Sequence, residues 1–188
     1  MDGYHQGLRL PNFDYSTPGA YFLTVCTHLK RHTLSEIRNG VVFLHPCGEI
    51  VERHLQNAVN NHPLAMLDSY VIMPNHVHLL LVVLEEEMEK VVARAKQEWE
   101  KKQAGQDPPL RPRRLSDAEA SLKIVPSVMK EFKSRSTREA NLLKLNGNEP
   151  LWQRNYYDRI IRNPNERHSI QRYIANNPLA WDTDEYNT

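Results

Sequence analysis

Cysteine is scarce in this chain, and its scarcity removes one family of answers. Only Cys26 and Cys47 are present, and neither has a partner at zinc-finger spacing, so a Cys/His finger is excluded. Two thiols in a domain of this size point to a reducing compartment rather than a disulfide scaffold. Charge of one sign is also lacking. Lys and Arg number 24 against 23 Asp and Glu, a formal net charge of +1, so any attraction to a polyanion must come from local basic patches. Long hydrophobic runs are missing too: the longest fall far short of the roughly 20 residues a membrane helix needs. The opening Met1-Asp2-Gly3-Tyr4-His5-Gln6 lacks the charged-then-apolar layout of a secretory signal. There is no internal repeat. The expectation is a soluble, cytoplasmic protein with no membrane association.

The rest of the composition is ordinary. With 188 residues, 40% hydrophobic and 25% charged, the chain is long enough for one substantial core, and we read 1–188 as a single domain. Residues 1–19 carry Gly3, Gly7, Pro11, Pro18 and Gly19 and read as an irregular arm. Ala20–Thr27, rich in aromatic and β-branched residues, predicts a first strand. Asn39-Gly40 predicts the turn of a small hairpin between about 33–37 and 41–44. Ile50, Val51, Leu55 and Val59 form an apolar stripe on a helix from Gly48 to about Asn60. Two strands follow, about 65–73 and 76–83, joined by Pro74-Asn75 as a tight turn.

Composition changes at Glu85. Charged residues alternate with Met88, Val91, Val92, Ala95 and Trp99 at helical spacing, followed by a basic loop holding Arg111, Arg113 and Arg114. We take 85–118 as a helical and loop excursion from the core. A second core helix runs from Ser116-Asp117, or from Pro126, to about Leu142. Leu151–Ile161 predicts a last strand. Asn163 as N-cap, Pro164 at the first helical position and Glu166 as capping-box acid open a final helix that Asn177-Pro178 should end. With the small hairpin and the excursion removed, the order is β-α-β-β-α-β plus a C-terminal helix. That is an α+β, ferredoxin-like split βαβ antiparallel sheet.

Two places in this plan suggest chemistry. His76 and His78 lie two apart on a strand, so both imidazoles leave the same face. Taken alone, such a pair is more often two polar side chains on a half-exposed strand. Here the apolar flanks imply partly buried imidazoles, which must be partnered. Tyr173 and Asn177 are four apart on the last helix and share a face, about 5–6 Å apart at Cβ. By spacing alone they read as a core aromatic and a helix stop. If their face meets the histidines, the amide oxygen completes a two-nitrogen, one-oxygen site beside a phenol. Tyr156 and Tyr157, facing opposite ways on a strand, are rival nucleophiles without an amide or acid at i+4.

Three ordered segments carry a family resemblance: Tyr-Val-Ile-Met-Pro-Asn-His-Val-His-Leu-Leu (70–80), Leu-Trp-Gln-Arg-Asn-Tyr-Tyr-Asp-Arg-Ile-Ile-Arg (151–162) and Tyr-Ile-Ala-Asn-Asn-Pro (173–178). Together with the opening strand, they resemble the REP-associated tyrosine transposases of the single-tyrosine HUH endonuclease superfamily (transposase IS200-like), over most of the chain except 85–118. The resemblance implies that Tyr173 is a nucleophile carried on the added C-terminal helix. It also implies that His76, His78 and Asn177 bind Mg²⁺ or Mn²⁺. The implied activity is cleavage and transfer of single-stranded or hairpin DNA through a 5′-phosphotyrosine link. Many related single-tyrosine transposases carry Gln where Asn177 stands. Expected DNA contacts are Lys130, Lys133, Arg135 and Arg138 on the second core helix, with Arg154, Arg159, Arg162 and Trp152 nearby. The alternatives are a hairpin-binding protein of the same fold without cleavage, and a small metal hydrolase that would leave Tyr173 unexplained. A homodimer is among the assembly states left open.

Overall fold

The computed structural model describes residues 17–85, 123–147 and 149–187. The expected excursion, apart from its first residue Glu85, and the expected helix start at Ser116-Asp117 lie outside the described residues.

Four strands form the main sheet: β1 (Gly19–Cys26), β4 (Ala65–Ile72), β5 (His76–Val83) and β6 (Tyr157–Ile161). Their spatial order is β4-β5-β1-β6 and every neighbouring pair is antiparallel. This is the split βαβ arrangement expected from the sequence. β1 and β5 occupy the middle, which explains why their sequences are apolar almost without alternation: both faces are covered. The small hairpin pairs β2 (Ser35–Arg38) with β3 (Val41–Leu44). Its turn places Asn39 and Gly40 at φ of 51° and 74°, the two left-handed positions that a type I′ turn demands.

One face of the sheet carries the larger core. Tyr21, Leu23, Val25, Val77, Leu79 and Leu81 meet helix α1 (Pro46–Asn60) and helix α2 (Ile124–Leu142) through Val51, Leu55, Val128 and Phe132. α1 begins two residues before the expected Gly48, because Pro46 takes the first-turn position where its missing N–H costs nothing. Gly48 lies inside the helix for a different reason. A Cβ there would stand 2.0 Å from the Leu34 carbonyl oxygen, so only glycine allows that approach. Pro126 falls in the first turn of α2, again without breaking the helix.

The opposite face is covered by helix α3 (Pro164–Asn176), whose Ile170 and Ile174 pack on Phe22, Leu80 and Ile161. Its start is capped as expected, with Asn163 Oδ1 accepting from the Glu166 amide at 2.9 Å. The reciprocal bond closes one residue early: Glu166 Oε2 accepts from the Arg162 N–H at 2.9 Å. Asp68, at a register shift in β4, receives Arg167 and, at 2.8 Å, Gln171 Nε2, which ties α3 to the sheet edge. Asn177-Pro178 ends α3 as expected. It tightens the coil into a 3₁₀ turn over Asn177–Thr183, since Asn177 itself keeps helical angles and proline fits a first turn.

β6 is shorter than the 151–161 expected. Leu151 and Trp152 still reach β1, through a bridge at Thr27 and a 2.9 Å bond from Gln153 N to Cys26 O. Residues 153–155 then leave the ladder and turn their carbonyls onto Lys133 Nζ, at 2.7, 2.9 and 3.5 Å. That bond set replaces the ladder and is why the strand breaks there.

Candidate active site

The strand register decides what surrounds the histidines. His76 lies opposite Cys26 and His78 opposite Thr24, while Thr24 also faces Tyr157 on β6. Both imidazoles are 0% exposed and their ring centroids are 4.5 Å apart. Groups so deeply buried must satisfy their nitrogens locally.

For His76 the partner is its own neighbour. Asn75 is fully buried and its Nδ2 donates to the backbone oxygens of Tyr186 (2.6 Å) and Lys30 (3.3 Å). Those two carbonyls fix the amide, so Asn75 Oδ1 faces His76 Nδ1 at 2.9 Å. An amide oxygen only accepts, so Nδ1 carries the proton and the ring's lone pair sits on Nε2. His78 Nδ1 lies 2.8 Å from Thr24 Oγ1, and its Nε2 lies 3.3 Å from the Tyr173 hydroxyl. Sequence reasoning treated Asn75 as a turn residue and Thr24 as part of a strand. Thr24 becomes visible only once the β1–β5 register is known.

Tyr173 is half-buried, its ring 5.2 Å from His78 and edge-on to Phe22 at 5.9 Å. It and Asn177 line an open depression of about 400 Å³ with Ser169, Arg172, Asn176 and Ala180. Asn177 is 3% exposed. Its Nδ2 donates to Asp184 Oδ2 at 3.0 Å, while its Oδ1 is buried with no hydrogen-bond donor among the described residues. Of the helix-and-strand juxtaposition expected from the sequence, the Tyr173–His78 contact is present, and Asn177 follows one helical turn on beside Asp184.

The chain beyond α3 folds back over the histidines. The Tyr186 ring stacks 4.5 Å from His76 at 36° and 5.7 Å from His78, and Trp181 lies 6.1 Å from His76. Burial, first, and nearby acidic groups push the Tyr186 phenol well above the usual tyrosine range. Burial also pushes the neighbouring Cys26 thiol up to about 11. Both cysteines are free and buried.

Among the described residues, no three of His, Cys, Asp and Glu gather as a metal group. A cation held here would therefore rely on an amide oxygen as its third protein ligand. Asn177 Oδ1, a buried acceptor lacking a donor, fits that need. Two imidazoles with a neutral oxygen suit Mn²⁺ somewhat better than Mg²⁺.

Five of the eight proposed DNA contacts line one cleft, and Arg135, Arg159 and Arg162 stand outside its lining. Trp152 is 5% exposed; its Nε1 donates to Ser136 Oγ at 2.9 Å and its ring packs on Phe132, so it has no face left for a base. Lys133 is engaged by the three carbonyls already described. Arg135 pairs with Glu131 at 2.9 Å and Arg159 with Glu166 at 2.7 Å. Lys130, Arg138, Arg154 and Arg162 are exposed. Lys130, Lys133, Arg138, Trp152 and Arg154 line a cleft of about 720 Å³ between α2 and residues 150–156, against the face of the sheet opposite the histidines. Of the rival tyrosines, Tyr156 is buried in the larger core, and Tyr157 takes the histidine face opposite Thr24.

A four-stranded antiparallel split βαβ sheet with a helix on the His76/His78 face defines an α+β fold. Among solved structures, one described as the REP-associated tyrosine transposase bound to a REP hairpin matches 95% of this chain and 73% of its own. The sequence identity is 17% and the TM-score 0.53. The chain has the fold of a REP-associated tyrosine transposase. An uncharacterized protein from Haemophilus influenzae is 29% identical over 182 residues, covering 97% of this chain and 92% of that protein. No family model matches the chain. No helix among the described residues is long and apolar enough to cross a membrane.

Proposed function

We propose that this protein is a metal-dependent endonuclease and strand transferase for single-stranded or hairpin DNA, acting through Tyr173. The observation that carries the reading is the Tyr173 hydroxyl 3.3 Å from His78 Nε2, at the lip of an open depression that Asn177 also lines. Tyr173 is the nucleophile; His76, His78 and Asn177 hold the cation. The likeness of fold to a protein described as bound to a REP hairpin supports DNA as the substrate.

In the proposed reaction the Tyr173 oxygen attacks the scissile phosphorus as its proton passes to solvent water, which also supplies the proton that the leaving oxygen takes up, because a neutral phenol is a weak nucleophile. The bond from phosphorus to the 3′-oxygen breaks, the 3′-oxygen takes up a proton, and the phosphate stays on the tyrosine as a 5′-phosphotyrosine. A bound Mg²⁺ or Mn²⁺ would supply charge stabilisation at the phosphate and orient it for in-line displacement. The chain's own contribution is placement. Thr24 and Asn75 fix the two imidazoles, and α3, tied to Asp68, holds the phenol above them. Since the covalent link conserves the phosphodiester's bond energy, a second 3′-hydroxyl can reverse the step and join strands.

One observation favours a second reading, a hairpin-binding protein without cleavage: the Tyr186 ring lies on both imidazoles, and neither is exposed. A denaturing gel with labelled hairpin DNA and Mn²⁺ separates the two. A covalent adduct that Tyr173→Phe abolishes and that Tyr156→Phe and Tyr157→Phe retain supports strand transfer. DNA binding without an adduct under Mg²⁺ and Mn²⁺ supports the second reading. No DNA affinity at low salt refutes both.

A further inference from the structure

The Asn177 side chain is useful as a ligand in only one of its two orientations. Its Oδ1 can hold a cation; its Nδ2 cannot. The two orientations have nearly the same shape, so packing alone does not choose between them. The choice is made by Asp184. A carboxylate accepts and never donates, so the face of the amide turned toward Asp184 Oδ2, at 3.0 Å, must be Nδ2. Oδ1 is thereby turned away, into a buried position where no donor among the described residues meets it. Asp184 is fixed in turn, since its other oxygen, Oδ1, accepts from the Tyr186 N–H at 2.7 Å.

We propose that Asp184 is a positioning residue for the metal site: its carboxylate sorts the Asn177 amide so that the oxygen, and not the nitrogen, is offered to the cation. The proposal rests on the metal-site reading above. It also gives the segment after α3 a part in the site, because Asp184 lies seven residues past Asn177 and reaches back to it from beyond the 3₁₀ turn.

The substitution Asp184→Asn tests sorting while sparing the fold. The new amide keeps its own oxygen on the Tyr186 N–H, so the segment stays tied. It must then turn its Nδ2 toward Asn177. Two amide nitrogens cannot pair, and Asn177 flips to accept with Oδ1, withdrawing that oxygen from the site. Adding Asn177→Asp to the same chain removes the need for sorting. A carboxylate has two equivalent oxygens, one for the amide at 184 and one for the cation.

The measurement is Mn²⁺ affinity of the full chain without DNA, read from the electron paramagnetic resonance of free Mn²⁺, with thermal melts alongside. D184N is expected to lose roughly 10- to 100-fold in affinity, as substitutions behind metal ligands commonly do, with its melting temperature close to the parent's. N177D/D184N is expected to regain parental affinity or better. If N177A binds Mn²⁺ weakly while D184N binds like the parent, the sorting role is overturned and the metal site stands. If the double variant remains as weak as D184N, sorting is likewise overturned, because a purely structural tie would behave that way. If D184N fails to fold, the double variant, which keeps one carboxylate against one amide, still decides. If N177A binds as tightly as the parent, the ligand set itself fails.

Discussion

Replacing Thr24 with valine removes one hydroxyl from the floor of the site and leaves the side chain's shape intact. Thr24 is 1% exposed and His78 0%, so no solvent stands ready to replace the 2.8 Å contact between Thr24 Oγ1 and His78 Nδ1. Stripping a buried nitrogen of its partner costs about 1–3 kcal/mol. The methyl that takes the hydroxyl's place returns up to about 0.8 kcal/mol of apolar burial. The net loss is roughly 0.5–2 kcal/mol, and at about 2–4 °C per kcal/mol for a chain of this length, melting should fall by roughly 1–8 °C. The effect on metal should be larger than the effect on folding. With its Nδ1 no longer partnered, the ring loses the contact that fixes its tilt, and Mn²⁺ affinity should drop about 10- to 100-fold. Thr24→Ser, which keeps the hydroxyl, should stay near parental affinity. Circular dichroism melts and Mn²⁺ titration measure both effects. A valine variant that melts and binds like the parent would show that Thr24 does not orient His78.

Two further perturbations test other parts of the structure. Lys133→Met should lower the urea midpoint by the equivalent of about 1–3 kcal/mol, since three carbonyls lose a charged donor. It should leave the salt dependence of DNA binding unchanged, whereas Arg138→Ala should reduce the salt slope by about one if Arg138 meets a phosphate. Equal slopes for the two variants would refute the distinction. Glu139 joins α2 to α1 through His54 Nε2 at 2.7 Å and through Arg53. The His54 hydrogen bond first, then that from Arg53, holds its carboxyl below the ordinary 4.5. A depressed carboxyl stabilises above its unfolded pKa and loses that contribution as pH falls through the folded value. Glu139→Gln should therefore flatten the decline in urea midpoint below about pH 4.5, and an unchanged acid limb would count against the pair.

Element order made the split βαβ plan legible, and strand alternation, a property of the backbone, made the His76/His78 face legible. Neither located the end of β6. Leu151–Ile161 has one continuous strand-like composition, and the break at 153–155 arises from a lysine on another element, which no local pattern records. Basic spacing left the individual roles unresolved for a related reason. Lys133 and Arg138 look alike in sequence, yet one is turned onto backbone carbonyls and the other onto solvent. Trp152 read as a stacking platform because its ring is large and its neighbours basic, but Ser136 and Phe132 had already claimed its N–H and its face. Asn75 and Thr24 were hidden because a side chain's hydrogen-bond partner depends on register and on chain that returns from far away.

The position of the site follows from how far α3 reaches. β5 is buried on both faces, and on the face away from the larger core α3 covers Leu80 with Ile170 and Ile174. Ile174 is the last buried residue of that helix, while the strand's first two residues on that face, His76 and His78, extend past it. An apolar strand end there would need another apolar cover. Imidazoles need acceptors and donors instead, and these come from Asn75, Thr24 and Tyr173. Tyr186 supplies a ring that covers His76 and meets His78 edge-on. In so closely matched a setting, an acceptor left buried without a donor costs about 1–3 kcal/mol. Asn177 Oδ1 is such an acceptor, held that way by Asp184. If Asn177 Oδ1 holds a cation as proposed, the bound ion recovers that cost.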